Sequence, residues 1–209
     1  DGVRFGETYD GYGRDLVDPE LLKRVEILKG PSSALYGSDG LAGAILYITK
    51  DPSDLASEND VYQSVTAGYD SDNEHSKVSY LAANVGEKME GLIQITARDV
   101  SETELHDDAV KKPNPFSGEQ SSIFLKGKYL INDNFGLTLT YDTQESEGDW
   151  NLNSTIGTSG YPQMVSTISS IGDDDISRDR VSLSLDFSAD FALFDNGSFS
   201  IYSQDTDQR

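Results

Sequence analysis

Side chains that could catalyse a reaction are scarce in this chain. Histidine occurs only at His75 and His106, and cysteine is absent from all 209 residues, which excludes thiol chemistry and disulfides. A nucleophilic triad would need one of these histidines beside a serine and a carboxylate. Serine and aspartate are so frequent here that no spacing marks such a triad. The sequence therefore predicts a protein that is not an enzyme, and it predicts no cofactor.

A run of acidic residues is the feature closest to a metal site. Asp173, Asp174 and Asp175 stand together, with Asp179 nearby, and calcium takes several carboxylate oxygens. The spacing is not that of an EF-hand loop, so a solvated acidic loop is the preferred interpretation. The three consecutive aspartates are named as calcium candidates, and no metal is assigned.

The net charge of −21 narrows the range of partners. Nucleic acid is excluded, because phosphate binding needs clustered lysine and arginine side chains. The acidic excess is typical of a well-solvated surface, and recruitment of a cation is the alternative.

Most of the candidate residues named above must be held in place by β-strands, which the sequence pattern predicts. The stretch VSLSLDFSADF, residues 181–191, places Val181, Leu183, Leu185 and Phe187 on one face and serine or aspartate on the other. A period of two indicates a strand. Similar patterns bring the total to about seven strands. The others are Val61–Tyr69, Lys77–Val85, Leu92–Val100, Ile123–Ile131, Phe135–Asp142 and Ser198–Ser203.

The connections between the later strands alternate in length. Thr103–Gln120 and Gly148–Ser177 are long, whereas Asn132–Asn134 and Asp195–Gly197 are tight. Membrane barrels have long extracellular loops and short periplasmic turns, so the order favours an antiparallel transmembrane β-barrel. A soluble β-sandwich is the alternative. The longest apolar run, Leu41–Ile48, is too short for a transmembrane helix, which needs about 20 residues.

The stretch RVEILKGPSSALYGSDGLAGAILYITK, residues 24–50, has a different character. A helical turn through Glu20–Leu22 precedes a predicted strand at Val25–Leu28, and a second strand follows at Ala44–Thr49. The glycines between the strands permit positive φ or close backbone approach. No Gly-Lys-Ser/Thr is present, so this is not a phosphate loop. The pattern predicts a compact strand–turn–strand unit.

This stretch resembles the end of the plug domain of TonB-dependent outer-membrane receptors. Ala42 stands where the family usually has the first glycine of a pair. Ile45 occupies the isoleucine position of the family motif. In that family the plug fills the barrel, so the resemblance implies that the glycines approach the barrel wall closely. The matching signature residues are Val25, Glu26, Gly30, Pro31, Tyr36, Gly37 and Gly43.

The wider segment is similar to the haem and haemoglobin receptor branch, through the stretches DGVR, LVDPELLKRVEILKG and TKDPSDL. The resemblance implies active uptake of haem or haemoglobin-derived iron across the outer membrane. A receptor for a ferric siderophore or another chelate, with the same fold, is the alternative. A non-transporting β-rich adhesion or binding protein is a third interpretation.

The resemblance also implies the architecture and the partners. Residues 1–55 are expected to be the C-terminal part of a plug, and residues 56–209 the N-terminal strands of the barrel. Such transporters have about 22 strands, so the chain is expected to be a fragment. The implied location is the bacterial cell outer membrane. The implied partners are membrane lipid, a haemoprotein, haem or ferric siderophore, and the TonB complex through a segment outside this chain.

Three residues are candidate haem contacts by the same resemblance. Tyr9 and Tyr12 lie in a loop where the family often carries a histidine, and His106 lies in the long loop after residue 102. Histidine and tyrosine can both hold haem iron. Exposed loop side chains are the alternative for all three. Haem would then be the transported ligand rather than a cofactor.

Overall fold

A computed structural model describes residues 17–33, 42–102, 114–157, 159–160, 165–188 and 195–209. Strands dominate these ranges, with short 3-10 turns at Pro19–Leu21, Pro52–Asp54 and Asn153–Thr155. In the described part of the chain, no helix has the length and apolar character that crossing a membrane would require. The strands, in chain order, are β1 Leu22–Lys29, β2 Gly43–Thr49, β3 Asp60–Asp70, β4 His75–Val85, β5 Met89–Ser101, β6 Phe116–Asn132, β7 Phe135–Asn151, β8 Ser159–Gly160, β9 Val165–Ser166, β10 Ile171–Ser188 and β11 Asn196–Gln208.

Seven strands form one antiparallel sheet in the order β11-β10-β7-β6-β5-β4-β3. Each long strand therefore pairs with its neighbours along the chain, and the short β8–β9 pair lies in the connection between β7 and β10. Within the described ranges β3 and β11 each pair on one side only. The predicted strand number and the antiparallel, partial-barrel fold class are confirmed, and the single sheet is not that of a sandwich.

Two predicted loops are shorter than the sequence indicated. β7 continues to Asn151 and β10 begins at Ile171, so much of Gly148–Ser177 is strand. β6 begins at Phe116, inside the predicted loop Thr103–Gln120. The apolar alternation fades at these strand ends because both faces carry polar residues there. The backbone ladder continues regardless of side-chain polarity.

The sheet has a polar inner face and an apolar outer face. Ser79, Thr96, Ser122 and Gln144 follow one another across four strands and are all buried. The neighbouring outward row across β3 to β6 consists of Val65, Tyr80, Ile95 and Ile123, all of which are exposed. This polarity is the reverse of that of a water-soluble sheet.

The first two strands form a separate antiparallel hairpin. Residues 17–33 and 42–55 are here called the hairpin unit. Gly43 has φ of +153°, and a Cβ at this position would lie 2.4 Å from the Leu28 carbonyl oxygen. The close approach therefore occurs inside the hairpin, between Gly43 and β1. For this glycine, the expectation of close approach to the barrel wall is wrong.

Candidate functional site: contacts between the hairpin unit and the sheet

The hairpin unit lies against the polar inner face of the large sheet. Its contacts come from the 3-10 turn at Pro19–Leu21, from the end of β2 and from the 3-10 turn at Pro52–Asp54. The facing residues belong to β4, β5 and β6. Two charged centres and one apolar centre make up this contact.

Asp18 forms the first charged centre. It caps the turn at Pro19–Leu21, where its Oδ1 accepts the Glu20 N–H at 3.0 Å. The same oxygen accepts a hydrogen bond from Arg98 Nη2 of β5. The Ser122 hydroxyl of β6 donates to Oδ2 at 2.6 Å. Asp18 is only 3% exposed, so these three protein donors, of which Arg98 alone is charged, solvate its carboxylate in place of water.

The environment of Asp18 keeps it ionised. Burial alone would raise the pKa of its carboxyl group. The hydrogen bonds from Ser122 and the Glu20 N–H, together with the charge of Arg98, outweigh burial and lower the pKa below its ordinary value. A carboxylate held in this way makes charge-assisted hydrogen bonds, which contribute about 1.5–3 kcal/mol each.

A second ion pair supports the same turn. Lys77 of β4 donates to Glu20 Oε1 at 2.5 Å, and both side chains are partly exposed. Lys50, at the end of β2, donates to the Glu20 carbonyl oxygen at 2.6 Å. The turn is thereby tied both to the sheet and to the second strand of its own hairpin.

Lys126 of β6 forms the second charged centre. Its ammonium group donates to Thr49 Oγ1 at 2.6 Å, to the Lys50 carbonyl oxygen at 3.0 Å and to Asp51 Oδ1 at 3.1 Å. These three acceptors use the full donor capacity of an ammonium group. Lys126 is 7% exposed, so a single buried cation holds three consecutive residues of the hairpin unit.

Asp51 also accepts from Lys128, whose Nζ lies 3.0 Å from the same Oδ1. Burial would raise the pKa of Asp51, but the two lysines together lower it below its ordinary value. Asp54, three residues on, pairs with Lys23. Burial would raise its pKa, but the hydrogen bonds from Lys23 and the Asp51 N–H, with the charge of Lys23, lower it below its ordinary value. The segment that leads to β3 is therefore fixed by carboxylates.

The apolar centre lies between the two charged ones. Leu21 of the hairpin unit packs with Leu81, Leu92 and Phe124 of the sheet, and Leu55 packs against this cluster. Phe124 has no exposed surface. Burying a leucine side chain contributes about 1.5–3 kcal/mol. The cluster gives the contact its non-directional stability, while the charged centres fix its position.

A further buried ion cluster lies on the same inner face, within the sheet. Asp142 Oδ2 accepts from Arg178 Nη2 and from Arg180 Nη2, each at 2.9 Å. Gln144 donates to Asp142 Oδ1 at 3.3 Å. Asp142 is 1% exposed. This cluster joins β7 to β10 on the inner face of the sheet.

Several residues that the sequence singled out lie outside the described residues. No structural statement is made of them. They are the candidate haem contacts Tyr9, Tyr12 and His106, and the signature residues Tyr36 and Gly37.

The acidic run occupies a strand and not a loop. Asp173, Asp174 and Asp175 belong to β10, where successive side chains point to opposite faces. Among the residues that the structure describes, no three His, Cys, Asp or Glu side chains are arranged to hold a metal ion. The loop placement was wrong because an acidic, serine-rich stretch has the composition of a loop.

The residues of the two charged centres were not identified as a site from the sequence. In the sequence, Asp18 is marked only by the Asp-Pro pair before the predicted helical turn and by the resemblance of the stretch LVDPELLKRVEILKG, and in the structure it caps that turn. Lys126 lies in the predicted strand Ile123–Ile131, and Ser122 directly precedes that strand at an even interval from Lys126, so the shared face of these two residues could have been deduced. Arg98 lies in the separate predicted strand Leu92–Val100. The partners of these residues in the hairpin unit could not have been deduced, because nothing local specifies contacts across 75 to 104 residues.

Comparison with known families places the hairpin unit. Residues 1–44 match the TonB-dependent Receptor Plug Domain. The match covers β1 and reaches the first residues of β2, and it includes Asp18 and Leu21.

Curated proteins resemble a longer part of the chain. A protein named Hemoglobin-binding protein A, from Haemophilus influenzae, is 32% identical over 156 residues, which is 68% of this chain and 15% of that protein. A Hemin receptor from Yersinia enterocolitica is 31% identical over 134 residues, 63% of this chain and 19% of that protein. The chain therefore spans less than a fifth of the length of these curated relatives.

Proposed function

We propose that this chain, which belongs to the TonB-dependent receptors, is part of an outer-membrane receptor that takes up haem or haemoglobin-derived iron. Residues 1–55 act as the C-terminal part of the plug, and residues 56–209 act as barrel wall. The observation that carries the proposal is the docking of the plug hairpin, through Asp18 and Lys126, onto the polar inner face of the sheet.

The polarity of the sheet supports a location in the outer membrane. Exposed apolar residues on the outer face, such as Val65, Leu139 and Val181, would meet lipid. The buried polar inner face would line a lumen, as in outer-membrane barrels. The resulting protein is a transporter and not an enzyme.

The names of the relatives support the choice of ligand. Proteins named for binding haemoglobin or hemin match about two thirds of the chain. By analogy we assign haem, free or from a haemoprotein, as the ligand, and the TonB complex as the source of energy. Tyr9, Tyr12 and His106 are the proposed haem contacts.

The docking contacts suit a plug that must hold and then move. Each charged centre is a set of hydrogen bonds and ion pairs with no covalent link, so it can break and re-form. Asp18 and Lys126 lie on opposite sides of a small apolar cluster. A pull on the plug would therefore have to separate two charged anchors. Water entering the gap would solvate the separated charges and lower the cost of that step.

Ligand titration of the full receptor that contains this chain tests the proposal. Cells that lack other haem uptake should grow on haemin or haemoglobin as sole iron source only when they produce the receptor and TonB. The purified receptor should bind haemin. Binding of ferric siderophores with no binding of haemin would replace the proposal by the siderophore alternative. Growth on haemin without TonB would contradict active transport.

A further inference from the structure

Two aromatic side chains stack against each other, with some tilt, on the inner face of the sheet, at the end where the longer connections leave it. Phe116 of β6 and Trp150 of β7 are directly paired in register. Their ring centroids are 4.0 Å apart, with 33° between the ring planes. Phe116 precedes Ser122 by six residues, which places the aromatic pair about 20 Å along the strand from the charged centre at Asp18.

Glycines form the floor beneath these rings. Gly118 and Gly148 are paired with each other, next to the aromatic pair. A Cβ at Gly118 would lie 2.9 Å from Phe116 Cζ, and one at Gly148 would lie 2.9 Å from Phe116 Cε2. The Phe116 ring therefore lies on bare backbone. Gly172 pairs with Trp150 on the other side. The glycine row itself is flanked by Asp174, paired with Gly148, and by Val100, paired with Gly118.

The aromatic pair contrasts with the rest of the inner face. Beyond the glycine row, Gln120 and Ser146 are hydrogen-bonded at 3.5 Å, and the rows after them carry the two charged centres. Glycines at a sheet edge can be covered by aromatic side chains for stability. β6 and β7 are interior strands of this sheet, so that explanation does not apply. Both rings also keep part of their surface exposed.

We propose that Trp150, backed by the Phe116 ring on its glycine floor, forms a stacking platform for the flat face of the transported porphyrin. This inference rests on the proposed function, because the platform would stand in the lumen on the path of the ligand. A flat, conjugated macrocycle matches a flat aromatic surface, and offset stacking of π systems is favourable. The platform contacts the ring system and leaves the iron to other ligands.

The test uses the full receptor, purified in detergent, with two probes: haemin and iron-free protoporphyrin IX. Trp150→Ala and Phe116→Ala should each weaken binding of both probes by about 2- to 10-fold. Trp150→Phe should retain most of the affinity. The matched control is Phe187→Ala, which removes one ring of the outward pair Phe135–Phe187 and should leave both affinities unchanged.

A second variant guards against simple loss of folding. Gly148→Ala keeps both aromatic rings but drives a methyl group into Phe116. It should therefore also weaken the binding of both probes, while the amount of receptor at the cell surface is unchanged. Equal affinity of parent, Trp150→Ala and Phe116→Ala for protoporphyrin IX would overturn the platform. Failure of the parent to bind either probe would instead overturn the proposed function itself.

Discussion

Ser122 and Asp18 are 104 residues apart in the chain, yet the serine hydroxyl donates to Asp18 Oδ2 at 2.6 Å. Arg98, from the neighbouring strand, bonds the other oxygen of the same carboxylate. A single side chain of the hairpin unit is thus tied to two adjacent strands of the sheet. Loss of its charge should loosen the plug at this point.

Asp18→Asn tests that expectation directly. The amide keeps the size of the side chain but leaves the largely buried Arg98 beside a neutral group. We expect plug docking to weaken by about 1–3 kcal/mol, the cost of a poorly satisfied buried donor. Faster proteolysis of the plug in the purified receptor would report it. Asp133→Asn, in the turn between β6 and β7, is the control, and equal cleavage rates for Asp18→Asn and the control would count against the anchor.

The docking contact should also depend on pH in a defined direction. Asp18 and Asp51 both have a pKa below the ordinary value in the folded state. The stability that these two carboxylates contribute is therefore complete above the pKa of the unfolded state, about 3.9. It is lost as the pH falls through their lower pKa in the folded state. The contact should be constant at neutral and mildly acidic pH and weaken below about pH 4.

Spin labels can measure this effect, since the chain has no cysteine of its own. Labels at the exposed positions Ile27 and Ile123 report the distance from plug hairpin to wall. The distance distribution should stay narrow at neutral pH and broaden in acid. The double variant Asp18→Asn/Asp51→Asn should be broad throughout. Broadening as pH rises from acid to neutral would contradict the sign of the effect.

The two lysines near Asp51 should differ in importance. Lys126 is buried and holds three acceptors, whereas Lys128 makes one ion pair and is 31% exposed. Lys126→Met should lower stability by about 1–3 kcal/mol, and Lys128→Met by less than about 1 kcal/mol. Thermal unfolding of the purified receptor compares the two, and each variant serves as the other's control. A larger loss for Lys128→Met would show that burial is not the deciding factor.

Alternation along single strands made much of this fold predictable. Val181 and Leu183 revealed a strand with one apolar face, and the structure places both on the exposed face of β10. Beyond the apolar band that cue disappears. Asp173 and Asp175 pair with Asp149 and Glu147, and nothing apolar marks them as strand.

Of the contacts between the hairpin unit and the sheet, only the residues on the sheet side could be predicted from the sequence. An even spacing puts Ser122 and Lys126 on the same face of one strand, which the sequence supports. That Asp18 and Thr49 meet them depends on how the hairpin unit folds back onto the sheet. Such contacts follow from tertiary packing and leave no periodic signal in the sequence.

The orientation in the membrane can be tested with short inserted tags. The connection after Asn151 should be extracellular, and the turn at Asp133 should be periplasmic, because long loops face outward in such barrels. A tag after Gly157 should bind antibody on intact cells, and a tag after Asp133 only after permeabilisation. The reverse result would mean that the proposed orientation is wrong.

A row of like charges crosses the outer face of the sheet above the apolar band. Glu147 pairs with Glu119 on one side and with Asp175 on the other, and all three are exposed. Like charges directly opposite each other destabilise a sheet, by about 0.2–1 kcal/mol per pair. Glu147→Lys replaces two repulsions by two attractions and should raise the melting temperature of the receptor at low salt. Added NaCl should stabilise the parent more than the variant, because salt screens exposed charges. Glu87→Lys, in the short turn before β5, makes the same change in net charge away from the row. If both variants shift the melting temperature equally, net charge and not the row is responsible.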